Sequence, residues 1–390
     1  MRIALIGDFD TFLFRGQERP ASLGQYRLSP ALNLARGFRE LGVTDVHYVV
    51  MSRDVDSPMV AEGPFGIVHC LPCPPFSGSA TFYLWRRRQL LRELARIQPD
   101  LVHAQGSEEQ YAFTAVTSPY RHVITFHGIL HRVHEVSPPP LVSTAHVSRW
   151  LEKLVIRKAQ HVICISSEIE NFLRHHNSPA RLHRIPNAMA PCFFDIPPAS
   201  RQTPGFTLLY IGNIEPRKGL LHLVEALPAV TKALGQPLRL LVVGGGIGSR
   251  YQTTVAQRAT ELGVAPMIEW LGNQLEAAVA RAMAQADALV LPSFWENLPM
   301  CVGEAMAAGR PAIATTAAAI AEMVEHEKTG LVVEPGNVGQ LAGAIIRLLS
   351  DPALCAAMGQ AGRMKAQQLY TPRVVAGKTL ALYREILAGQ

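Results

Sequence analysis

The sequence predicts two doubly wound α/β domains in tandem. Short apolar runs alternate with helical patterns along the chain, the alternation is interrupted once by a proline-rich polar stretch, and 390 residues suffice for two cores. Strands that alternate with helices lie parallel, because each crossover helix returns the chain to the same end of the sheet.

In the first half, Arg2–Gly7, Val46–Ser52, Gly66–Pro72, Asp100–Gly106, His122–Gly128 and His161–Ser166 read as strands. Ala31–Leu41 and Leu84–Ile97 carry helical spacing, and Ser137–Pro140 reads as a proline-rich loop. The pattern changes at RIPNAM, Arg184–Met189, and the following Ala190–Gly205 (APCFFDIPPASRQTPG) has the composition of a linker. A second series of strands then begins: Phe206–Gly212, Leu238–Gly244, Ile268–Gly272, Asp287–Ser293, Pro311–Thr315 and Gly330–Glu334. Pro372–Leu387 is the last helical run. The expected division is a first domain over 1–189, a linker over 190–205, a second domain over 206–370 and a closing helix over 371–390.

Composition narrows the function classes. An apolar content of 48% with 17% charged residues fits a soluble enzyme, and no apolar run approaches the roughly 20 residues of a spanning helix. The start, MRIALIGDFD, reads as a first strand rather than a signal peptide. Six cysteines in so long a chain make no disulfide framework, so a reducing cytoplasm is expected. A net charge of +6 suits anionic ligands such as sugar nucleotides and gives little reason to expect nucleic acid. Its one local concentration, Arg86, Arg87, Arg88, Arg92 and Arg96 among Leu90, Leu91, Leu94 and Ile97, is a basic amphipathic helix. Such a helix is either an ordinary surface element or a peripheral contact with an anionic membrane leaflet.

The chemistry concentrates in Asp287–Pro311, DALVLPSFWENLPMCVGEAMAAGRP. An apolar strand is followed by a loop and then by an alanine-rich helix that stops at Gly309 before Pro311. Asn297 is the expected N-cap, and Pro299 suits the first helical turn. Glu304 is the only charge on that helix, and Glu296 stands just before it. A buried carboxylate needs a partner or a ligand; an exposed one, or one paired with an arginine, would need neither. Earlier, GNIEPRKG places Arg217 and Lys218 in the turn beyond the strand Phe206–Ile211, where two cations suit a diphosphate. Gly212 is expected to free that turn.

Several other patterns carry less. The turn Gly244–Gly248 follows a strand but has Ser249 where a dinucleotide fingerprint needs its third glycine. His127 ends a first-half strand; His131 and His134 follow it without a carboxylate or cysteine to complete a metal set. Asp8-Phe9-Asp10 and Asp54-Val55-Asp56 imitate a metal-binding D-x-D but sit at strand ends, where aspartate is common in turns. Cys70-x2-Cys73 has no second pair and reads as a loop.

Glu296-x7-Glu304, set in PSFWENLP and EAMAAGRP, resembles the E-x7-E signature of retaining glycosyltransferases of family 4. The resemblance covers nearly the whole chain and is closer in the second half. It implies a GT-B fold, in which two Rossmann-like domains face a central cleft, the second binds the nucleotide sugar, the first serves the acceptor, and the last helix returns to the first. It implies a nucleotide-sugar donor, a UDP- or GDP-sugar foremost, with no required metal or other cofactor. Glu304 would hold the ribose hydroxyls, Glu296 the donor sugar, and the backbone N–H groups of Asn297 and Leu298 the sugar and diphosphate. The family pattern G-R-L-x3-K-G falls on Gly212–Gly219, so Lys218 matches the phosphate-binding lysine. His127 matches the cleft histidine beside the donor sugar. Two departures stand out: Asn213 replaces the family arginine, leaving Arg217 to supply the second positive charge, and the loop Ala317–Ala321 lacks the usual glycines. Other GT-B enzymes, such as a phosphorylase or a sugar-nucleotide epimerase, and a silent GT-B scaffold stay open as alternatives. The base, the sugar and the acceptor (glycan, lipid-linked or small molecule) are not named by the sequence.

Overall fold

The computed structural model describes residues 1–17, 30–75, 77–78, 81–107, 109–131, 143, 145–176, 178–197, 205–317 and 319–389. The expected loop Ser137–Pro140 and His134 lie outside them. The chain forms two compact units: one holds the described residues up to Asn187 together with Pro372–Gln390, the other Ala188–Thr371.

In the first unit, β1 (Ile3–Ile6), β2 (Val46–Ser52), β3 (Met59–Gly63), β4 (Gly66–Pro72), β5 (Leu101–Gln105), β6 (His122–Phe126), β7 (His161–Cys164) and β8 (Arg181–Arg184) form one sheet. Their order is β3-β4-β2-β1-β5-β6-β7-β8, with every neighbouring pair parallel except β3 with β4. The apolar runs β1 and β2 are buried throughout, as parallel strands covered on both faces must be. β3 and β8 were not expected. The first is a half-exposed edge hairpin partner, MVAEG, and the second reads RLHR, so neither has an apolar run to betray it. The helix Pro372–Ala388 packs on Pro30–Glu40 so closely that a Cβ at Gly37 would sit 2.1 Å from the Pro372 carbonyl oxygen.

The second unit is a six-stranded parallel sheet of β9 (Phe206–Ile211), β10 (Leu238–Val243), β11 (Ile268–Gly272), β12 (Ala288–Leu291), β13 (Ala312–Thr315) and β14 (Gly330–Val333). The order β11-β10-β9-β12-β13-β14 is the doubly wound one, with its reversal between β9 and β12. Leu208, Tyr210, Leu240, Val242 and Val290 of the sheet pack under the helices Leu220–Leu234 and Val338–Ser350. Of the proline-rich stretch 190–205, Pro191–Phe194 is a short helix with Phe193 fully buried. Arg363 donates to the carbonyls of Phe194 and Ile196, and buried Arg310 donates to those of Met283, Ala284 and Pro197. These two guanidinium groups hold the start of that stretch on the second unit. Among the described residues no single helix is long and apolar enough to cross a membrane.

Candidate active site

The second unit's site grows from its strand reversal. The C-terminal ends of β9 and β12, where the strand order reverses, are the place at which doubly wound sheets generally bind their ligands. After β9 comes a short 3-10 turn, Pro216–Lys218, then Gly219 as the N-cap of Leu220–Leu234. Gly219 has φ +71°, and a Cβ there would lie 2.0 Å from the Pro292 carbonyl oxygen, so only glycine lets this loop lie against the one after β12. The required turn glycines are thus Gly219 and Gly244 (φ +146°) rather than Gly212, whose φ is not positive. Gly212 is tied to β10 instead, through its N–H to the Val243 carbonyl at 2.9 Å.

The two loops meet through their side chains. Lys218 Nζ lies 2.5 Å from Glu296 Oε1, and Ser293 Oγ donates to the same oxygen at 2.8 Å. Arg217 Nη1 donates to the Trp295 carbonyl at 2.8 Å and stands 3.8 Å from Glu296 Oε2, while Nη2 pairs with Glu215 at 2.7 Å. Phe294 N–H donates back to the Arg217 carbonyl at 2.8 Å. Thr315 Oγ1, at the end of β13, steadies the loop by donating to the Ser293 carbonyl at 2.5 Å. Asn213 and an unforeseen Asn273 converge over Gly245, where a Cβ would lie 3.3 and 3.1 Å from their Oδ1 atoms.

The helix after β12 runs Met300–Ala307 with Pro299 as its N-cap, and no side chain caps it. This corrects the expectation that Asn297 is the cap: Asn297 and Leu298, both buried, belong to the turn before the helix, because the loop is spent on the Lys218 and Ser293 contacts. Residues Cys301–Ala307 are all buried, so Glu304 is not on a surface helix. Its side chain is 2% exposed, and among the described residues no hydrogen bond or ion pair reaches its carboxylate. The arginine nearest in sequence, Arg310, is spent on backbone carbonyls. Burial, with the charge of Glu276 added, pushes the Glu304 carboxyl up to about 8. The loop expected at Ala317–Ala321 is partly helical: Ile320–Met323 is a single turn, with Ala319 N–H 3.4 Å from the Glu296 carbonyl oxygen.

His127 belongs to the first unit, just beyond β6. Its Nε2 lies 2.8 Å from Gln105 Oε1, and Asn187 is a second hydrogen-bonding neighbour. Burial lowers its basicity to about 4 against the smaller opposing effect of Asn187, so the ring is neutral at pH 7. The remaining candidates serve structure. Asp10 Oδ1 caps the turn Thr11–Phe14, and Asp54 closes a local turn with Ser52. Asp8 accepts from the Tyr111 hydroxyl at 3.1 Å. His131 packs against the Phe172 and His176 rings. Cys70 lies fully buried inside β4, in the strand expected at Gly66–Pro72, and Cys73 follows that strand in the loop. Among the described residues no three His, Cys, Asp or Glu side chains gather as a metal site.

The basic helix divides its charges. Arg86 donates to Ser77 and Gln110, and Arg87 to Thr117, which takes both inward. Arg96 pairs with Glu93 at 3.1 Å. Arg88 and Arg92 are exposed, beside exposed Phe82 and Leu84 at the start of the helix.

Known proteins share this plan. Residues 31–191 match the model of Glycosyltransferase Family 4, and residues 195–365 match that of Glycosyl transferases group 1. The alpha-D-kanosaminyltransferase of Streptomyces kanamyceticus is 25% identical over 84% of this chain and 86% of its own. A GDP-mannose-dependent alpha-(1-6)-phosphatidylinositol monomannoside mannosyltransferase of Mycobacterium tuberculosis is 35% identical over 40% of this chain and 42% of its own. Among solved structures, sucrose-phosphate synthase from Thermosynechococcus elongatus superposes with a TM-score of 0.79 at 20% identity, covering 100% of both chains. Anabaena HepE in complex with UDP-glucose does so with 0.72 at 18% identity, covering 100% of both. Matched in both halves, and carrying the two doubly wound sheets those halves require, the chain belongs to the family 4 glycosyltransferases of GT-B fold, enzymes that move a sugar from a nucleotide sugar to an acceptor.

Proposed function

We propose that the loops beyond the C-terminal ends of β9 and β12 bind a UDP- or GDP-sugar and that transfer proceeds with retention and without a required metal or other cofactor. Glu304 accepts from the ribose hydroxyls, Glu296 from the donor sugar, and Lys218 with Arg217 meets the diphosphate. Gly212, Asn213 and the backbone N–H groups of Asn297 and Leu298 complete the donor contacts, and His127 acts in transfer from the first unit.

The observation that carries this reading is the Glu304 carboxylate, buried and without a partner among the described residues. Such a group is costly in the free protein and is repaid only by donors that arrive with a ligand. A second observation supports it. Lys218 is held by Glu296 at 2.5 Å, so an arriving diphosphate can take over the ammonium while the freed carboxylate accepts sugar hydroxyls. The similar proteins include a GDP-mannose-dependent enzyme and one solved in complex with UDP-glucose, which favours these two bases. A thermal-shift screen against UDP-, GDP- and ADP-sugars in EDTA tests the reading: a ligand at about 100 times its Kd adds roughly 2.7 kcal/mol, seen as a clear rise in Tm. No shift with any of them, or a shift only when manganese or magnesium is restored, would sink it.

Exposed Arg88 and Arg92, with exposed Phe82 and Leu84 at the start of the same helix, form a small basic and apolar patch suited to an anionic membrane leaflet. Flotation with vesicles containing phosphatidylglycerol, lost in 0.5 M salt (on the order of half molar, where the Debye length is only a few Å) and in Arg88→Glu/Arg92→Glu, is the expected result. Equal recovery with neutral vesicles would remove the membrane from the picture.

A further inference from the structure

Two segments of the first unit flank His127, and one carboxylate holds both. The helix Ala145–Lys158 buries Leu151, Glu152, Val155 and Ile156, and Glu152, 1% exposed, is the charged one of the four. Its Oε1 accepts from the Ser107 hydroxyl at 3.1 Å and from the Leu130 N–H at 3.0 Å, and its Oε2 accepts from the His131 N–H at 3.1 Å. Ser107 lies just beyond β5 and is fully buried. Leu130 and His131 lie just beyond β6, separated from His127 by Gly128 and the fully buried Ile129.

Strand pairing cannot hold these segments. The ladder between β5 and β6 ends at Gln105 and Thr125, and past it the Glu152 carboxylate joins the two chains. A buried carboxylate is costly unless donors surround it, and a buried N–H is costly without an acceptor, so the anchor and what it holds depend on each other. We propose that Glu152 is a positioning residue for sugar transfer, tying the segments beyond β5 and β6 to one helix and so fixing His127 between them. This rests on the reading of His127 as part of the transfer site.

The positioning can be read without a sugar nucleotide, by 15N NMR of the full-length protein carrying 15N-histidine, the His127 signal being identified by its loss in His127→Ala. In the wild type burial holds His127 at about 4, so the ring should stay largely neutral from pH 5 to pH 8. Gln at position 152 keeps the shape but has one acceptor end; whichever way the amide turns, its NH2 faces the backbone N–H of Leu130 or of His131. In Glu152→Gln the segment should lift, water should reach His127, and the ring should titrate within that range. Glu93→Gln is the control. Glu93 is another buried carboxylate of the first unit, 2.8 Å from His69 and 3.1 Å from Arg96, and its loss should lower Tm without moving the His127 titration.

Turnover is read as UDP or GDP released from UDP-glucose or GDP-mannose. Glu152→Gln should lower kcat about tenfold with donor KM within about twofold, Ser107→Ala should lower kcat about threefold, and Glu93→Gln should change it by less than about twofold. A folded Glu152→Gln in which His127 stays neutral, or in which kcat is unchanged, would overturn the proposal. So would an equal fall of kcat in Glu93→Gln at equal loss of Tm. Should Glu152→Gln fail to fold, Ser107→Ala decides, and full turnover in that variant overturns the common anchor. If His127→Ala keeps full turnover, the reading of His127 in transfer fails, while the titration in Glu152→Gln still shows whether the carboxylate fixes the ring.

Discussion

At Glu304 the proposed donor contact and stability oppose each other. Its carboxyl stays protonated to about 8 when folded, against about 4.5 in an unfolded chain. Between those values the native state binds the extra proton, so this group takes stability away as the pH rises toward 8. Glu304→Gln should therefore melt higher than the wild type at pH 8, with the gap closing toward pH 5, as differential scanning calorimetry at the two pH values would register. The same substitution removes a charge-assisted acceptor worth about 1.5–3 kcal/mol, so nucleotide affinity should fall by about tenfold or more. A variant that melts higher yet binds nucleotide as before would show that Glu304 does not meet the ribose. The E-x7-E spacing was legible in the sequence, but the absence of a partner was not. Arg310 stands only six residues from Glu304, and only the packed structure shows its guanidinium spent on the Met283 and Ala284 carbonyls.

At the scale of the element, the loops after β9 and β12 are positioned by backbone rather than by side-chain chemistry. Gly219→Ala places a Cβ 2.0 Å from the Pro292 carbonyl oxygen in a left-handed backbone, so the loop that carries Lys218 must shift. A loss of about 2 kcal/mol or more in urea unfolding is expected, together with weaker donor binding. Gly343 is the control. It lies exposed within the helix Val338–Ser350, where an added Cβ meets nothing within 4 Å, so Gly343→Ala should stabilise by about 0.5–1 kcal/mol. Equal effects of the two substitutions would mean that the close approach to Pro292 does not constrain the loop. Sequence reading located these loops, yet it assigned the turn to Gly212 and the helix cap to Asn297. Both errors have one cause: local propensity was overridden by contacts between loops distant in sequence.

Across the whole molecule, the histidines are unevenly used. His47, His103, His122, His127, His161 and His183 are all made less basic, chiefly by burial, and all belong to the first unit. A lowered basicity means that the unfolded chain binds more protons below about 6.5, so stability is fully present above that pH and is lost as it falls. For His103 and His127, with folded values of about 3 and about 4, each contributes a slope approaching 1.4 kcal/mol per pH unit (about one factor of ten) within its window. The first unit should therefore open first in mild acid. Hydrogen exchange resolved by peptide at pH 7 and pH 5 should show protection falling in β5 and β6 before β9 and β12, after correction for intrinsic exchange. Simultaneous loss in both units would contradict it.

The sequence by itself determined the fold class, most strand positions and the family, because apolar periodicity and the E-x7-E stretch are local patterns. It also offered Lys218, Glu296, Glu304 and His127 as candidates, since each lies in a motif readable within a few residues. Tertiary structure alone decided what these groups touch. Lys218 and Glu296 are 78 positions apart and meet only because β9 and β12 pair at the sheet's reversal. Tyr383 reaches His103 across 280 positions because the last helix packs on the first unit. Strands β3 and β8 stayed hidden because edge strands need no apolar run. Hydrogen-bond polarity, burial and close backbone approach are properties of pairs brought together by folding, and no single stretch of sequence contains both members.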